Sequence, residues 1–122
     1  MNNVFVYGTL KYGFHNHKFI KDSKPVCHAM TEHPYLLLGY TIPFMIEDDN
    51  DFNTVRVSGE VYSVDDKTLE VLDTLEGHPY LYERKFTWVI NDKTKERMQV
   101  YAYFGNIDFV GSKHDIIKDG VF

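Results

Sequence analysis

Two short stretches of the sequence carry residue types that suit proton transfer at a carbonyl group. Residues 4–11 (VFVYGTLK) are predicted to form a short buried strand that runs into a glycine turn, where backbone N–H groups are exposed. Residues 72–77 (LDTLEG) place a carboxylate, Glu76, at the end of an apolar helix. Backbone donors facing a shielded base are a common arrangement for this chemistry.

The helix that presents Glu76 is predicted to begin at Ser63 or Asp65 and to end at Gly77. Side chains of Ser and Asp accept hydrogen bonds from the first N–H groups of a helix, and glycine adopts the left-handed conformation that ends one. At about 100° per residue, Glu76 shares a core-facing stripe with four apolar residues: Leu69, Leu72, Val71 and Leu75.

This position predicts an unusual pKa for the Glu76 carboxyl. Partial burial and the negative end of the helix dipole both raise the pKa of a carboxyl, which suits it to act as a general base. The residues alone also allow a plainer interpretation, in which Glu76 reaches solvent at a frayed helix end or pairs with Arg84.

The turn formed by Tyr7, Gly8, Thr9 and Leu10 is the candidate for the backbone donors. Successive N–H groups in such a turn converge on an anion or a carbonyl oxygen. The turn has neither the Lys-Ser/Thr pair of a phosphate loop nor the glycine pattern of a dinucleotide site. An ordinary loop is the alternative interpretation of this segment.

Composition limits the class of protein. A chain of 122 residues with 43% apolar and 25% charged residues predicts one globular domain, residues 1–122. A net charge of -5 argues against a nucleic-acid or anionic-membrane surface. No run of about 20 apolar residues and no secretory leader pattern is present, so we expect a cytoplasmic protein with no membrane segment.

The pattern along the chain predicts mostly strands. Apolar or alternating runs occur at residues 4–7, 35–38, 41–46, 55–64, 85–90 and 97–104, and the last two are predicted to form a hairpin around residues 91–95. Residues 11–24 have the composition of a loop or one short helix, and residues 47–53 that of an acidic surface loop. Gly59 within a strand predicts a bend, a bulge or a close backbone approach. Together these features favour a small curved or barrel-like sheet with one helix.

The motifs, taken in order, resemble the gamma-glutamylcyclotransferase-like superfamily, closest to its gamma-glutamylamine cyclotransferase branch. The resemblance rests on residues 4–11 followed by Gly13, Asn16 and His17, on residues 59–65 (GEVYSVD) and on residues 72–76 (LDTLE). Pro79, Leu81, Tyr82 and Arg84 match the segment that follows, so the resemblance extends over about residues 4–103.

The resemblance implies an α+β fold, a small mixed and mainly antiparallel β-barrel with one principal flanking helix. It also implies no metal and no organic cofactor, a substrate cradle at Tyr7, Gly8, Thr9 and Leu10, and Glu76 as the catalytic residue. Tyr82 is a further candidate substrate contact, with ordinary packing as its alternative. Arg84 is another, with a structural ion pair as its alternative.

The chemistry implied by the resemblance is an intramolecular ring closure. The α-amino group of a γ-glutamyl amine attacks the side-chain amide carbonyl, 5-oxoproline forms and the amine leaves, with Glu76 as general acid and base. The identity of the leaving amine and the oligomeric state are left open. The rival hypothesis is a non-catalytic binding module that sequesters a small acidic metabolite in the same pocket.

Other kinds of site find little support in the sequence. The six histidines are scattered and lack the spacing of a zinc-binding helix, and the single cysteine, Cys27, has no catalytic signature around it. No serine has a histidine at a recognisable spacing, so a hydrolase triad is unsupported.

Overall fold

The computed structural model describes residues 1–39, 41–47, 53–110 and 115–122. Within them lie eight strands: β1 (Asn2–Val6), β2 (Lys24–Thr31), β3 (Leu36–Gly39), β4 (Pro43–Ile46), β5 (Ser58–Val64), β6 (Tyr82–Asn91), β7 (Arg97–Gly105) and β8 (Asp115–Ile116). The helices are α1 (Asp66–Leu75) and the short α2 (Ile107–Val110), and residues His15–Phe19 form a 3-10 segment.

Five strands close into a barrel. Antiparallel pairing joins β1 to β5, β5 to β2, β2 to β6 and β6 to β7. A parallel bridge between Val4 and Tyr101 then joins β1 to β7 and completes the circle. From β7 the sheet continues outward through β4, β3 and β8. The structure therefore confirms the predicted α+β fold, a mainly antiparallel mixed barrel with one principal helix.

The closed sheet is buried on both faces around β1. Phe5 belongs to a core cluster with Val61, Val89 and Val100, to which β1, β2, β5, β6 and β7 all contribute. Val4 belongs to the cluster on the opposite face, where the two leucines of α1, Leu69 and Leu72, pack. Since both faces are covered, β1 has a continuous apolar sequence rather than an alternating one.

Most predicted strands are confirmed, and two of the observed strands, β2 and the two-residue β8, are missing from the prediction. The β6–β7 hairpin and the two short strands β3 and β4 lie where the sequence pattern placed them. Strand β2 (Lys24–Thr31) lies outside the predicted strands, because its sequence contains Pro25, half of its residues are exposed and its register shifts between Pro25 and Cys27. It is held in place by pairing with both β5 and β6. Most of the predicted acidic loop, residues 48–52, lies outside the described residues.

Helix α1 begins and ends as its sequence predicts. Asp65 caps it by accepting a hydrogen bond from the N–H of Thr68 at 2.7 Å, and Gly77 follows it with φ of +66°. The core-facing stripe is narrower than predicted, because Val71 and Leu75 are 42% and 36% exposed. Only Leu69 and Leu72 of α1 are buried, so the residues that lie farther round the helix from these two reach solvent.

Within the described part of the chain, no helix is both long enough and apolar enough to cross a bilayer.

Gly59 in β5 is predicted to be intolerant of any side chain. A Cβ built on Gly59 would collide with the carbonyl oxygen of Val6 and would lie 2.9 Å from the ring of Phe5, so the close backbone approach expected from the sequence is confirmed. We expect Gly59→Ala to lower the free energy of unfolding by about 1–3 kcal/mol. Urea denaturation measures the change, with the neighbouring Ser58→Ala as control. An unchanged midpoint would contradict the tight packing.

Candidate active site

A cavity of about 30 Å³, open to solvent on one side, lies between the end of β1 and the end of α1. Six of the seven predicted site residues line it: Tyr7, Gly8, Thr9, Leu10, Glu76 and Tyr82. Its wall is completed by Phe5, Val6, Pro43 and Tyr103.

Glu76 is half-buried at the C-terminal end of α1, and its backbone N–H bonds to Leu72 O at 2.9 Å. Among the described residues, none donates a hydrogen bond to its carboxylate or forms an ion pair with it. Burial raises the pKa of the Glu76 carboxyl from 4.5 to about 7. A buried carboxyl without protein partners is rare, and near neutral pH this one can both accept and return a proton.

The loop after β1 offers donors to the cavity. Its carbonyl groups are occupied: Gly8 O accepts from Lys11 N at 3.0 Å, and Thr9 O accepts from Asn16 N at 3.1 Å. Within the described ranges, no acceptor is found for the N–H groups of Gly8, Thr9 and Leu10. These amides therefore remain available to a ligand, as a cradle for an anionic oxygen requires.

Gly8 is needed for space rather than for an unusual backbone angle. The sequence suggested that its freedom to turn was the reason for a glycine, but its φ is not among the positive values, which occur at Gly13, Gly77 and Gly120. A Cβ at Gly8 would instead collide with the ring of Pro43, another wall of the cavity. The absent side chain lets the loop and Pro43 approach each other.

Two tyrosines of the wall use their hydroxyl groups to hold the framework. The Tyr7 hydroxyl donates to Tyr103 O at 2.6 Å and accepts from Met45 N at 3.0 Å. The Tyr82 hydroxyl donates to Pro43 O at 2.6 Å, and its ring stacks on Phe44 at 4.9 Å. Burial raises the pKa of both phenols, so they stay neutral. Tyr82 therefore has the packing role that was the alternative to a substrate contact, and the same residue also lines the cavity.

Arg84 lies beside the cavity and does not line it. Its Nη1 donates to Asp73 Oδ2 at 2.9 Å, and its guanidinium lies 4.7 Å from the ring centre of Tyr101. The ion pair foreseen as the alternative for Arg84 is therefore present, with Asp73 rather than Glu76 as its partner. A substrate contact for Arg84 stays a prediction.

Asp73 and Tyr103 are the residues that sequence reasoning missed. The Tyr103 hydroxyl donates to Asp73 Oδ1 at 2.7 Å, while the Tyr103 ring lines the cavity next to Glu76. Asp73 is three residues before Glu76, a helical spacing that puts the two on neighbouring positions of one face. That spacing was the available signal. Nothing local in the sequence could identify Tyr103, which β7 brings from the far end of the chain.

The groups that line the cavity indicate a class of site. A carboxyl with a pKa of about 7 lines the same small cavity as unpaired backbone amides, and no Lys or Arg of the described chain lines it. This arrangement can move a proton on a substrate amine while it stabilises negative charge on a substrate oxygen. A set of groups of this kind is suited to acid–base chemistry.

Known proteins of the same kind are found by sequence and by structure. The profile of the family described as "Gamma-glutamyl cyclotransferase, AIG2-like" matches residues 4–122. A Methanocaldococcus jannaschii protein, provisionally named a gamma-glutamylcyclotransferase, is 42% identical over 105 residues, which are 85% of this chain and 84% of that protein. The gamma-glutamylaminecyclotransferase of Bos taurus is 32% identical over 108 residues, 82% of this chain and 63% of the bovine protein.

A solved structure agrees with these relatives. The crystal structure of an AIG2-like protein from Mus musculus superimposes with a TM-score of 0.78 at 25% identity, covering 94% of this chain and 86% of that one. The chain belongs to the gamma-glutamyl cyclotransferase, AIG2-like family, as the motifs predicted, and it is an enzyme of the cyclotransferase class.

The buried carboxyl predicts a stability difference that depends on pH. Because the pKa of Glu76 is raised on folding, its contribution is favourable below pH 4.5 and is lost as pH rises through about 7. Above that pH the ionised form costs about 1–3 kcal/mol. We expect Glu76→Gln to be more stable than the wild type at pH 8, with a difference that shrinks toward pH 5. Denaturant titrations across this range measure it.

The matched control for this experiment is Glu70→Gln, since Glu70 is an exposed glutamate of the same helix. Its stability difference from the wild type should stay nearly flat with pH. An equally flat profile for Glu76→Gln would show that Glu76 is solvated in the folded protein.

Gly8→Ala is predicted to damage the cavity. The added methyl group must displace Pro43 or the loop, so we expect a loss of about 10–100-fold in kcat/KM, since small misplacements of binding groups have effects of this size. Gly13→Ala is the control in the same loop: it has φ of +91° and nothing within 4 Å of the added Cβ. That variant should lose stability but keep its activity. Wild-type kcat/KM in Gly8→Ala would contradict the packing argument.

Proposed function

We propose that this enzyme acts on a γ-glutamyl amine or a related small γ-glutamyl compound, releasing 5-oxoproline and a free amine, with Glu76 as general acid and base. One observation carries the proposal. The unpartnered Glu76 carboxyl, with a pKa of about 7, lines one small cavity with the unpaired amides of residues 8–10. The names of the bovine and human relatives, both gamma-glutamylaminecyclotransferases, support the substrate class.

The cavity's groups suit the glutamyl part of such a substrate. The N–H groups of Thr9 and Leu10 would donate to the oxygen of the scissile amide or to the α-carboxylate. Glu76 would lie against the α-ammonium group, which supplies the positive charge that no described residue of the wall provides. The ring faces of Tyr7, Tyr82 and Tyr103 would enclose the methylene chain and keep it folded.

The proposed reaction needs no reagent beyond the substrate. The Glu76 carboxylate takes a proton from the α-ammonium group, and the freed nitrogen attacks the δ-carbonyl carbon. A C–N bond forms, and the carbonyl oxygen becomes an oxyanion held by the loop amides. The Glu76 carboxyl then gives its proton to the leaving nitrogen, and the bond from carbon to that nitrogen breaks. The regenerated carboxylate takes the second proton from the ring nitrogen and passes it to the departing amine, which leaves as an ammonium ion. The products together contain all the atoms of the substrate.

Known magnitudes are compatible with this division of work. Good alignment of an intramolecular reaction is worth about 7–11 kcal/mol, which the enclosing wall can supply by holding the chain folded. Each oxyanion donor typically contributes about 3 kcal/mol. A base whose pKa lies near the working pH transfers a proton in both directions at little cost. No further catalytic group is needed to account for a large acceleration.

The test is turnover of γ-glutamyl amines, with 5-oxoproline measured as the product. We expect the wild type to release 5-oxoproline, and Glu76→Gln to fold normally with a loss of at least about 100-fold in kcat. Because the carboxylate is the active form, kcat/KM of the wild type should rise with pH and level off above about pH 7. Glu70→Gln, on the exposed face of the same helix, should behave as wild type.

Two outcomes would contradict the proposal. Substantial activity in Glu76→Gln would remove this carboxyl from the mechanism. Absence of 5-oxoproline across a panel of γ-glutamyl amines and peptides, together with a rise in Tm on adding glutamate or 5-oxoproline, would favour the binding-module alternative. A cytoplasmic location for the reaction and the absence of nucleic-acid partners stay predictions from composition.

A further inference from the structure

The loop that supplies the cradle is held from behind by the 3-10 segment His15–Phe19. Asn16 makes two contacts with Thr9: its backbone N–H donates to Thr9 O at 3.1 Å, and its Nδ2 donates to Thr9 Oγ1 at 3.0 Å. His17 Nδ1 lies 3.0 Å from Leu10 O. Because a carbonyl oxygen can only accept, His17 Nδ1 carries the proton. Two consecutive residues thus hold three acceptor atoms of the loop.

A held carbonyl also fixes the direction of the amide in the same peptide plane. In a planar trans peptide, C=O and the following N–H point in opposite directions. The contact of Thr9 O with Asn16 therefore turns the N–H of Leu10 away from the 3-10 segment. Leu10 is part of the cavity wall whereas Asn16 and His17 are not, so the 3-10 segment lies behind that wall.

The hydrogen bond from His17 to Leu10 O adds a further restraint on the loop. Leu10 O is held by His17, and Gly8 O is held by Lys11 N at 3.0 Å, which gives the N–H of Thr9 its direction in the same way. The carbonyls on both sides of the Thr9–Leu10 peptide are therefore fixed. Neither the amide of Thr9 nor that of Leu10 can turn without breaking at least one of these contacts.

The 3-10 segment is itself held in place by contacts with neighbouring residues. The His17 ring lies 5.4 Å from the ring centre of Tyr12 and 5.6 Å from that of Tyr62. Glu60 Oε1, on β5, accepts from Tyr12 N at 2.9 Å and from the Tyr62 hydroxyl at 2.8 Å. Ile20, just after the segment, is 1% exposed and anchors it in the core.

We propose that Asn16 and His17 are positioning residues: the side-chain bonds of Asn16 to Thr9 Oγ1 and of His17 to Leu10 O, together with the backbone bond from Asn16 N to Thr9 O, hold the loop in the conformation that aims its amides at a substrate oxygen. Neither side chain lines the cavity, so both act through the loop. The catalytic consequence rests on the proposed function. The ordering of the loop does not depend on the proposed function, and it can be measured without any substrate.

The first experiment measures backbone ¹⁵N relaxation in the protein without substrate. Wild-type Thr9 and Leu10 should have order parameters of about 0.85, and those in His17→Ala should fall below about 0.6. In Asn16→Ala they should fall by less, because this variant loses the bond to Thr9 Oγ1 but keeps the backbone bond to Thr9 O. His15→Ala, an exposed histidine of the same segment, is the control and should leave both values unchanged. His17→Asn should recover order, because its Nδ2 places a donor close to the position of the imidazole Nδ1.

The second experiment measures turnover of the same variants. We expect kcat/KM to fall about 10–100-fold in His17→Ala, and most of that loss to be recovered in His17→Asn. The fall should be smaller in Asn16→Ala, which keeps its backbone bond to Thr9 O. The pH at which kcat/KM levels off should not move, because the surroundings of Glu76 are unaltered. A variant that is merely less stable would lose Tm without this specific loss in its folded fraction. If Asn16→Ala does not fold, Thr9→Val removes the same side-chain bond from the other partner.

The outcomes separate this proposal from the proposed function. Unchanged order parameters in both alanine variants would overturn the positioning role, as would a disordered loop that keeps wild-type kcat/KM. A wild type that releases no 5-oxoproline would defeat the proposed function, and the relaxation data would then decide the positioning role alone.

Discussion

The burial of one carboxyl without a protein partner is the constraint on which the site depends. Glu76 is at the end of α1, where the wholly buried Leu72 fixes the orientation of the last turn and Gly77 ends it. Surrounded by tyrosine rings, the carboxyl loses much of its hydration, and its pKa rises to about 7. The fold bears a cost in stability for keeping that group unpaired, which is a common feature of catalytic positions.

The charged groups near Glu76 are paired with each other, so they do not reduce this cost in stability. Arg84, the cation closest in sequence, is engaged by Asp73, and Tyr103 donates its hydroxyl to the same carboxylate. An arginine paired with Glu76 would lower the pKa of that carboxyl and remove its basicity near neutral pH. The Asp73 network therefore braces the end of α1 against β6 and β7, and it leaves the cavity to neutral groups.

Closure of the barrel brings the two halves of the site together. The loop amides follow β1 and the carboxyl follows β5 and α1, more than 60 residues later in the chain. The β1–β5 pairing sets these segments side by side, and the bridge from β1 to β7 adds the ring of Tyr103. The carbonyls beside these amides accept hydrogen bonds from Lys11, Asn16 and His17, which restrains the peptide planes of the loop.

The sequence by itself determined the local parts: the apolar β1 strand, the capped and glycine-ended α1, the β6–β7 hairpin, and Glu76 beside Leu69 and Leu72. These follow from periodicity and from the preferences of single residues, which act over a few positions. Only the tertiary structure decided β2, because its sequence pattern is weak and the strand is held by pairing with β5 and β6. It alone also decided that Asp73 takes Arg84, that Tyr103 joins the wall, and that Gly8 is required by Pro43. Each of these depends on contacts between distant segments, and such contacts leave no periodic trace in the chain.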